Sequence, residues 1–362
     1  MSRRVYVHIG APKTGTTYLQ DRLARNARSL AAHEVHLPTR SPLVSPGMFH
    51  FRAALDLMEQ DWGGPKGHAQ GSWEAMVKRV GRLSGTVVIS HEILAPARPE
   101  HIARLKGDLA DSELHIVYSA RDLARQAPAG WQESVKQGRR WSYGRYLSRV
   151  RNGKPWFARA FDLPAVLSHW GTGLSPDRVH VVTVPQPEAV AADPDLLWRR
   201  LCQAFGIEPD WAPDDSDRAN ASLGSAETQV LRKLNERIGR ATRRDPAYDQ
   251  LILGMLAHGT LSGRGSRPIT LPPKFHDWAT ERGEAWIEWL AESGVDVIGD
   301  LDDLRPAPPE ETFQHPDRVS AKAQLTAALD ALAAMTREAA ARPDPETSVR
   351  GRLRRAREVH RR

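Results

Sequence analysis

Apolar residues along this chain come in two rhythms. Short continuous runs, Val5-Tyr6-Val7-His8-Ile9, Thr86-Val87-Val88-Ile89-Ser90, Leu114 to Ser119 and Val179 to Val184, are rich in β-branched and aromatic side chains. They do not alternate with polar residues, which is the pattern of strands covered on both faces in a parallel sheet. Two weaker strand signals are His33 to Pro38, which alternates, and Val295 to Ile298. Between the runs, apolar residues recur at helical spacing. The helices predicted are 16–32, 49–60, 72–83, 99–109, a segment after Asp122 interrupted or kinked by Pro128, 143–150, 157–170, 196–206, 225–242, 275–293 and 321–340. Ser72 is the expected N-cap of its helix and Gly206 the closing residue of another. Loops are read at Thr39 to Met48, Trp62 to Gln70 and His258 to Arg267, with an acidic, Pro-containing stretch at Glu208 to Asp217. The pattern predicts an α/β domain over residues 1–300, a Pro- and acid-rich linker over 301–320, and a helix with a basic tail over 321–362.

Composition narrows the class without changing that picture. With 362 residues, 40% hydrophobic and 26% charged, the chain has ample material for a core. Its apolar runs are too short to cross a bilayer, and the strand that follows Ser2-Arg3-Arg4 leaves no room for a signal peptide, so cytoplasmic residence is expected. The one cysteine, Cys202, sits among Leu201, Ala204 and Phe205 as a helix core residue and excludes an intramolecular disulfide. Net charge is +7, with much of the excess in Arg350, Arg352, Arg354, Arg355, Arg357, Arg361 and Arg362. That cluster reads first as a solvated helix end or tail, with a nucleic-acid or membrane contact as the alternative; no nucleic-acid partner is expected.

The chemistry-bearing stretch is Gly10-Ala11-Pro12-Lys13-Thr14-Gly15-Thr16-Thr17, directly after the first strand and running into Tyr18-Leu19-Gln20-Asp21-Arg22-Leu23. Strand, glycine-containing loop and helix in that order place unpaired amides and the positive end of a helix dipole against an anion. Lys13 adds a full charge and Thr14, Thr16 and Thr17 add hydroxyls. In nucleotide triphosphatases the loop ends Gly-Lys-Ser/Thr, whereas here Lys13 precedes the second glycine. Three further groups fall at strand ends, where open α/β sheets bind ligands: His91-Glu92 after the second strong run and Arg121 after the third, whose planar fork suits a phosphate dianion.

Pro12-Lys13-Thr14-Gly15-Thr16-Thr17 resembles the 5′-phosphosulfate loop of sulfotransferases that use 3′-phosphoadenosine 5′-phosphosulfate (PAPS). A strand ending in His91-Glu92 and one ending in Ser119-Ala120-Arg121-Asp122 follow in the family's order. Thr17 to Gln20, Arg121 to Leu123, Trp131-Gln132-Glu133 and Asn220 to Leu223 look like its bacterial branch. The resemblance spans residues 5–240 and implies a P-loop-like three-layer fold with about five parallel strands and helices on both faces. It also implies PAPS as sulfuryl donor, no required metal, and a small-molecule or carbohydrate acceptor. By the same resemblance Lys13 with the backbone of Gly15, Thr16 and Thr17 holds the 5′-phosphosulfate, and Arg121 the 3′-phosphate. The family's serine eight residues after that arginine is Ala129 here, leaving Ser134 or Gln132, one turn on, as candidate replacements.

A base must take the acceptor's proton, and His91 and Glu92 both stand at the matching strand end. Successive side chains of an extended segment point opposite ways, so one of the two faces the acceptor. His50, near the start of the 49–60 helix, would reach an acceptor if that helix lines the cleft. The competing reading is a nucleotide-binding or scaffold protein of the same fold without the chemistry.

Overall fold

A computed structural model describes residues 3–41, 43–217, 222–244 and 248–342. The basic cluster from Arg350 onward and the residues Asn220 and Ala221 lie outside the described residues.

The strands are β1 (Arg4–His8), β2 (Val35–His36), β3 (Thr86–Ser90), β4 (Glu113–Ala120), β5 (Val179–Thr183) and β6 (Asp296–Ile298). They form one sheet in the order β2-β3-β1-β4-β5-β6, every pairing parallel. Six strands stand where about five were expected, because the weak signals at both edges pair. The helices are α1 (Thr16–Arg25), α2 (Ala27–Ala32), α3 (Pro46–Leu57), α4 (Ser72–Val80), α5 (Pro99–Asp108), α6 (Leu123–Lys136), α7 (Tyr143–Arg151), α8 (Trp156–Phe161) and α9 (Leu163–Gly171). They continue as α10 (Pro187–Ala192), α11 (Leu196–Phe205), α12 (Ser225–Arg237), the π-wound α13 (Asp249–Thr260), α14 (His276–Ser293) and α15 (Ala321–Ala341).

Alternate side chains of each strand feed two cores, which is why the strand runs are apolar throughout. On one face Val5, Val7, Val87, Ile89, Ile116, Tyr118 and Val181 pack against α3, α4, α6 and α9. On the other, Tyr6, Val88, Val117 and Val182 meet Leu19 and Leu23 of α1 and Trp198, Leu201, Cys202 and Phe205 of α11. The chain leaves β1 for the edge strand β2, returns through β3, and crosses to β4 on the other side of β1. The connection from β1 runs to the β2 side and that from β3 to the β4 side, so the carboxyl ends of β3, β1 and β4 lie at the switch point where open α/β sheets form their ligand crevice.

Several local expectations change. Helix 16–32 breaks at Asn26, whose side-chain amide donates to the Arg22 carbonyl and to that of Asp214. Segment 157–170 is two helices, since Pro164 starts a new first turn. Gly71 in the left-handed region, not Ser72, precedes α4. Pro128 lies inside α6, which is continuous in its assignment. The stretch read as a loop from His258 opens with the last residues of α13 and continues as a single turn over Ser262–Arg264.

Asp303, in the stretch read as a linker, is buried and accepts from the Thr183 hydroxyl at 2.8 Å, the Gln186 amide at 3.2 Å and the Arg200 guanidinium. It thereby ties the Leu301–Leu304 turn to the end of β5 and to α11. Asp303→Ala strands the Arg200 cation without its counter-charge and is expected to lower unfolding free energy by about 3–5 kcal/mol in urea titrations. A loss below about 1 kcal/mol would mean that the pair is solvent-screened.

Candidate active site

The loop between β1 and α1 is built on unusual backbone. Lys13 has φ 71°, a left-handed conformation rarely adopted by a residue with a Cβ, and Gly15 has φ 93° as it opens α1. A Cβ on Gly10 would lie 3.0 Å from the His8 ring and 3.2 Å from Thr16 Oγ1. The loop therefore rests on His8, the last residue of β1. The His8 ring spans the sheet's carboxyl edge, Nδ1 at 2.8 Å from Ser90 Oγ and Nε2 at 2.8 Å from Ser119 Oγ. Burial, with a smaller push from His91, lowers its pKa to about 3, so it is a neutral strut between β3 and β4.

The loop's polar groups divide into those already committed and those left open. The Thr14 hydroxyl donates to the Ala11 carbonyl at 2.6 Å and so fastens the turn; the Pro12 carbonyl accepts from Gln126 at 3.2 Å. Thr16 Oγ1 is buried and has no hydrogen-bond partner among the described residues. Thr17 is half-buried in the first turn of α1, where the helix amides are unpaired. Lys13 Nζ lies 3.3 Å from Glu133 Oε2, and Lys136, almost wholly buried, lies 4.0 Å from the same oxygen. Burial alone would raise the Glu133 carboxyl, but Lys13 and Lys136, with His258 adding to the field, hold it below its ordinary value. Glu133 and Lys136 come from α6, more than a hundred residues away, and no motif around Lys13 marked them as its partners.

Arg121 is the most telling group. It follows β4 directly, and its Nη1 donates to the Lys13 carbonyl at 3.2 Å, coupling it to the loop. Its Nε is buried without a partner, and no carboxylate forms an ion pair with it among the described residues. The neighbouring Asp122 is taken by Arg125 and by capping α6. Burial first, and repulsion from Arg125 second, lower the Arg121 pKa to about 10 against the pull of Asp122, leaving it charged at neutral pH. Arg121 is thus half-buried and charged, with its Nε buried and unpartnered among the described residues.

At the end of β3 the two candidate bases differ. His91 Nδ1 accepts the Ile93 amide at 3.2 Å, and burial pushes its pKa below the ordinary value against the attraction of Glu92. With Nδ1 accepting, the neutral ring carries its proton on Nε2. Glu92, 29% exposed at its side chain, sits 3.9 Å from His91 and has no hydrogen bond among the described residues. Phe51 stands beside them, its ring 5.2 Å from His91 and 5.2 Å from Trp62, which is 43% exposed.

Other expectations are corrected here. His50 does not reach the crevice: it is 1% exposed, Nε2 bonds the Pro38 carbonyl at 2.9 Å, and Nδ1 accepts the Ser90 amide at 3.1 Å. It is a clamp on β3, with its pKa lowered to about 4 chiefly by burial. Gln132 is engaged with the Leu223 carbonyl at 2.8 Å and the Ser134 hydroxyl with the Trp131 carbonyl at 2.8 Å. Both donors offered as substitutes for the serine absent at Ala129 are thus committed within the fold.

No protein-family model matches the sequence, and no curated protein matches it. Among solved structures, a sulfotransferase from Alicyclobacillus acidocaldarius matches over 67% of this chain and 100% of that one, at 18% identity and a TM-score of 0.38. Overlap that loose leaves the site to be read from this chain's own geometry.

Two measurements test the scaffold of the site. Gly15→Ala forces a Cβ into the φ 93° turn and to 3.1 Å from Leu197, and is expected to destabilise the protein by about 1–3 kcal/mol and to abolish anion binding in calorimetry. Because His8 and His50 are held neutral while the unfolded chain's histidines take protons below about 6.5, stability should fall with acidification. Each contributes about 1.4 kcal/mol per pH unit from 6.5 down towards its folded value. His8→Gln should shallow that slope in urea midpoints between pH 6.5 and pH 5; an unchanged slope would mean that His8 titrates normally.

Proposed function

We propose that the protein is a PAPS-dependent sulfotransferase in which the loop from Pro12 to Thr17 holds the 5′-phosphosulfate. The observation that carries this reading is the half-buried Arg121 guanidinium, whose Nε is buried and unpartnered among the described residues and whose Nη1 is hydrogen-bonded to the backbone of a lysine-bearing loop at a helix N-terminus. The residues fit such a donor: the unpartnered Thr16 hydroxyl, the open amides of Gly15, Thr16 and Thr17, the Lys13 ammonium and the Arg121 fork offer charge and donors for two anionic groups. When bound, PAPS supplies a sulfuryl group activated by its phosphosulfate anhydride.

In this reading Lys13 leaves Glu133 and places its ammonium beside the oxygen on which charge develops as the sulfuryl group departs, an interaction stronger in the transition state than before it. Arg121 orients the nucleotide from its remote phosphate. Glu92 takes the acceptor's proton, since its carboxylate is open while the lone pair of His91 Nδ1 is occupied by the Ile93 amide. His91 then positions, its Nε2 hydrogen pointing to an acceptor or sulfuryl oxygen. The Phe51 and Trp62 rings beside the two bases suit a flat acceptor bearing a hydroxyl or amine, an aromatic or a sugar.

Lys13→Ala is expected to lower sulfate transfer from labelled donor by about 10²–10³-fold. Glu92→Gln should lower it by about 10²–10⁴-fold and His91→Gln by markedly less, with adenosine 3′,5′-bisphosphate binding retained in these two variants. The reverse ranking would make His91 the base. Tight nucleotide binding with no transfer to any of a broad set of acceptors would favour a nucleotide-binding scaffold instead.

A further inference from the structure

From Ser134 to Phe161 the chain carries eight lysines and arginines and no aspartate or glutamate. Arg237, Arg240, Arg243 and Arg244 follow from the end of α12 onward. The fold brings these two stretches together. Arg243 donates to the Gly138 carbonyl at 2.7 Å, and Asn235 of α12 donates to the Arg139 carbonyl at 3.2 Å. The Arg139 and Arg149 guanidiniums both lie over the Trp141 ring, 5.6 Å and 4.7 Å from its centroid. Arg145 and Arg149, four residues apart, share the side of α7 turned away from its buried Tyr143, Tyr146, Leu147 and Val150. Arg140, Arg139 and Arg240 all act on Arg243, whose pKa is lowered first by burial and then by their repulsion, against the pull of Tyr248.

Little within the protein answers this charge. None of Arg139, Arg140, Arg145, Arg149, Arg240 and Arg243 forms an ion pair among the described residues, and Arg149 Nε is buried without a hydrogen-bond partner there. The acids on the neighbouring elements are committed. Glu236 pairs with Arg232, Asp317 accepts the Tyr143 and Gly144 amides at 3.1 Å and 3.4 Å, and Glu133 answers Lys13 and Lys136. Guanidiniums gathered in this way repel one another, and closely spaced negative charge on a partner relieves the repulsion. The basic surface also continues from the candidate active site, because Gly138 stands two residues beyond Lys136, whose ammonium is 4.0 Å from the carboxylate that holds Lys13.

We propose that this surface is the docking face for an acidic polysaccharide, a sugar chain carrying carboxylates or sulfates, and that this chain is the sulfuryl acceptor. The proposal rests on the sulfotransferase reading. Transfer forms an S–O bond to one sugar hydroxyl oxygen and breaks the S–O bond to the donor's phosphate. The electron pair stays on the departing phosphate oxygen, and the hydroxyl proton passes to Glu92. A small acceptor with a single charge would engage one or two of the six guanidiniums, whereas repeated anionic groups along a chain engage the row. The planar fork of arginine suits carboxylate and sulfate oxygens in pairs. Single-stranded nucleic acid fits less well, since it needs open ring faces on which bases stack. Trp141 already lies under two guanidiniums, and Trp131, Tyr143 and Tyr146 are fully buried.

The first test is calorimetry of the full chain, without donor, against heparin, polygalacturonate, neutral dextran and duplex DNA. The acidic polysaccharides should bind at least tenfold more tightly than dextran or DNA, and added salt should weaken them. A stronger hold on heparin would name sulfates as the groups bound, and on polygalacturonate carboxylates. The variant Arg140→Gln, Arg145→Gln, Arg240→Gln replaces three exposed side chains that make no hydrogen bond or ion pair among the described residues, and circular dichroism checks its fold. It should lose at least tenfold in affinity for the acidic polymers and show a shallower salt dependence. Parent-like affinity of this variant overturns the proposal, as does a parent that holds neither acidic polymer better than dextran. Tighter binding of duplex DNA, lost in the variant, would reassign the surface to nucleic acid. The second test is sulfate transfer from labelled PAPS. Transfer to small neutral hydroxyl acceptors but to none of a panel of acidic polysaccharides overturns the acceptor role and leaves the sulfotransferase reading standing. Polysaccharide binding that the variant weakens, with transfer to no acceptor of any kind, sinks the sulfotransferase reading and the acceptor role with it.

Discussion

The loop at the carboxyl edge of the sheet is arranged around the Arg121 guanidinium, with which no carboxylate pairs among the described residues. Arg121 is half-buried, with its Nε buried and unpartnered and no carboxylate paired to it among the described residues, and it is bonded to the carbonyl of a lysine whose own backbone is in the left-handed region. Such a cluster is costly for a folded protein to maintain. It persists because the loop around it is over-determined: His8 beneath, Thr14 tied to Ala11, Gln126 holding Pro12 and Leu197 over Gly15. Backbone strain and an unmet donor persist here because the surrounding contacts hold them in place.

The lysine is handled differently from the arginine. Lys13 has a resident counter-ion, Glu133, which Lys136 and His258 keep ionised. Lys13 therefore rests against α6 beside a carboxylate, while Arg121 has no such partner among the described residues. Across the crevice the end of β3 separates its two titratable groups by hydrogen bonding. His91 is spent on the Ile93 amide and Glu92 is open, so adjacent residues of similar promise acquire different capacities from one backbone contact.

The outer parts of the chain follow a different logic from the crevice. Asp303, in a stretch whose prolines and acids suggest a spacer, closes a buried hydrogen-bonded pair with Arg200 at the end of β5. Helix α15 sets Ala327, Ala331 and Ala334, with the partly buried Met335, toward the core and leaves Leu325, Leu329 and Leu332 exposed.

What the sequence by itself determined is local: the four strong strand runs, the parallel character of the sheet, the phosphate-type loop, and the placement of Lys13, His91, Glu92 and Arg121 at strand ends. These follow from short-range periodicity and from residues whose chemistry is tied to a turn, so a linear reading reaches them. Only the tertiary structure decided that His50 clamps β3, that Gln132 and Ser134 are occupied, that Glu133 and Lys136 flank Lys13, and that α15 shows its leucines outward. Each of these depends on which distant segment arrives beside a given side chain. A hydrophobic stripe or a lone histidine reads the same in sequence whether it meets a core, a backbone carbonyl or open solvent.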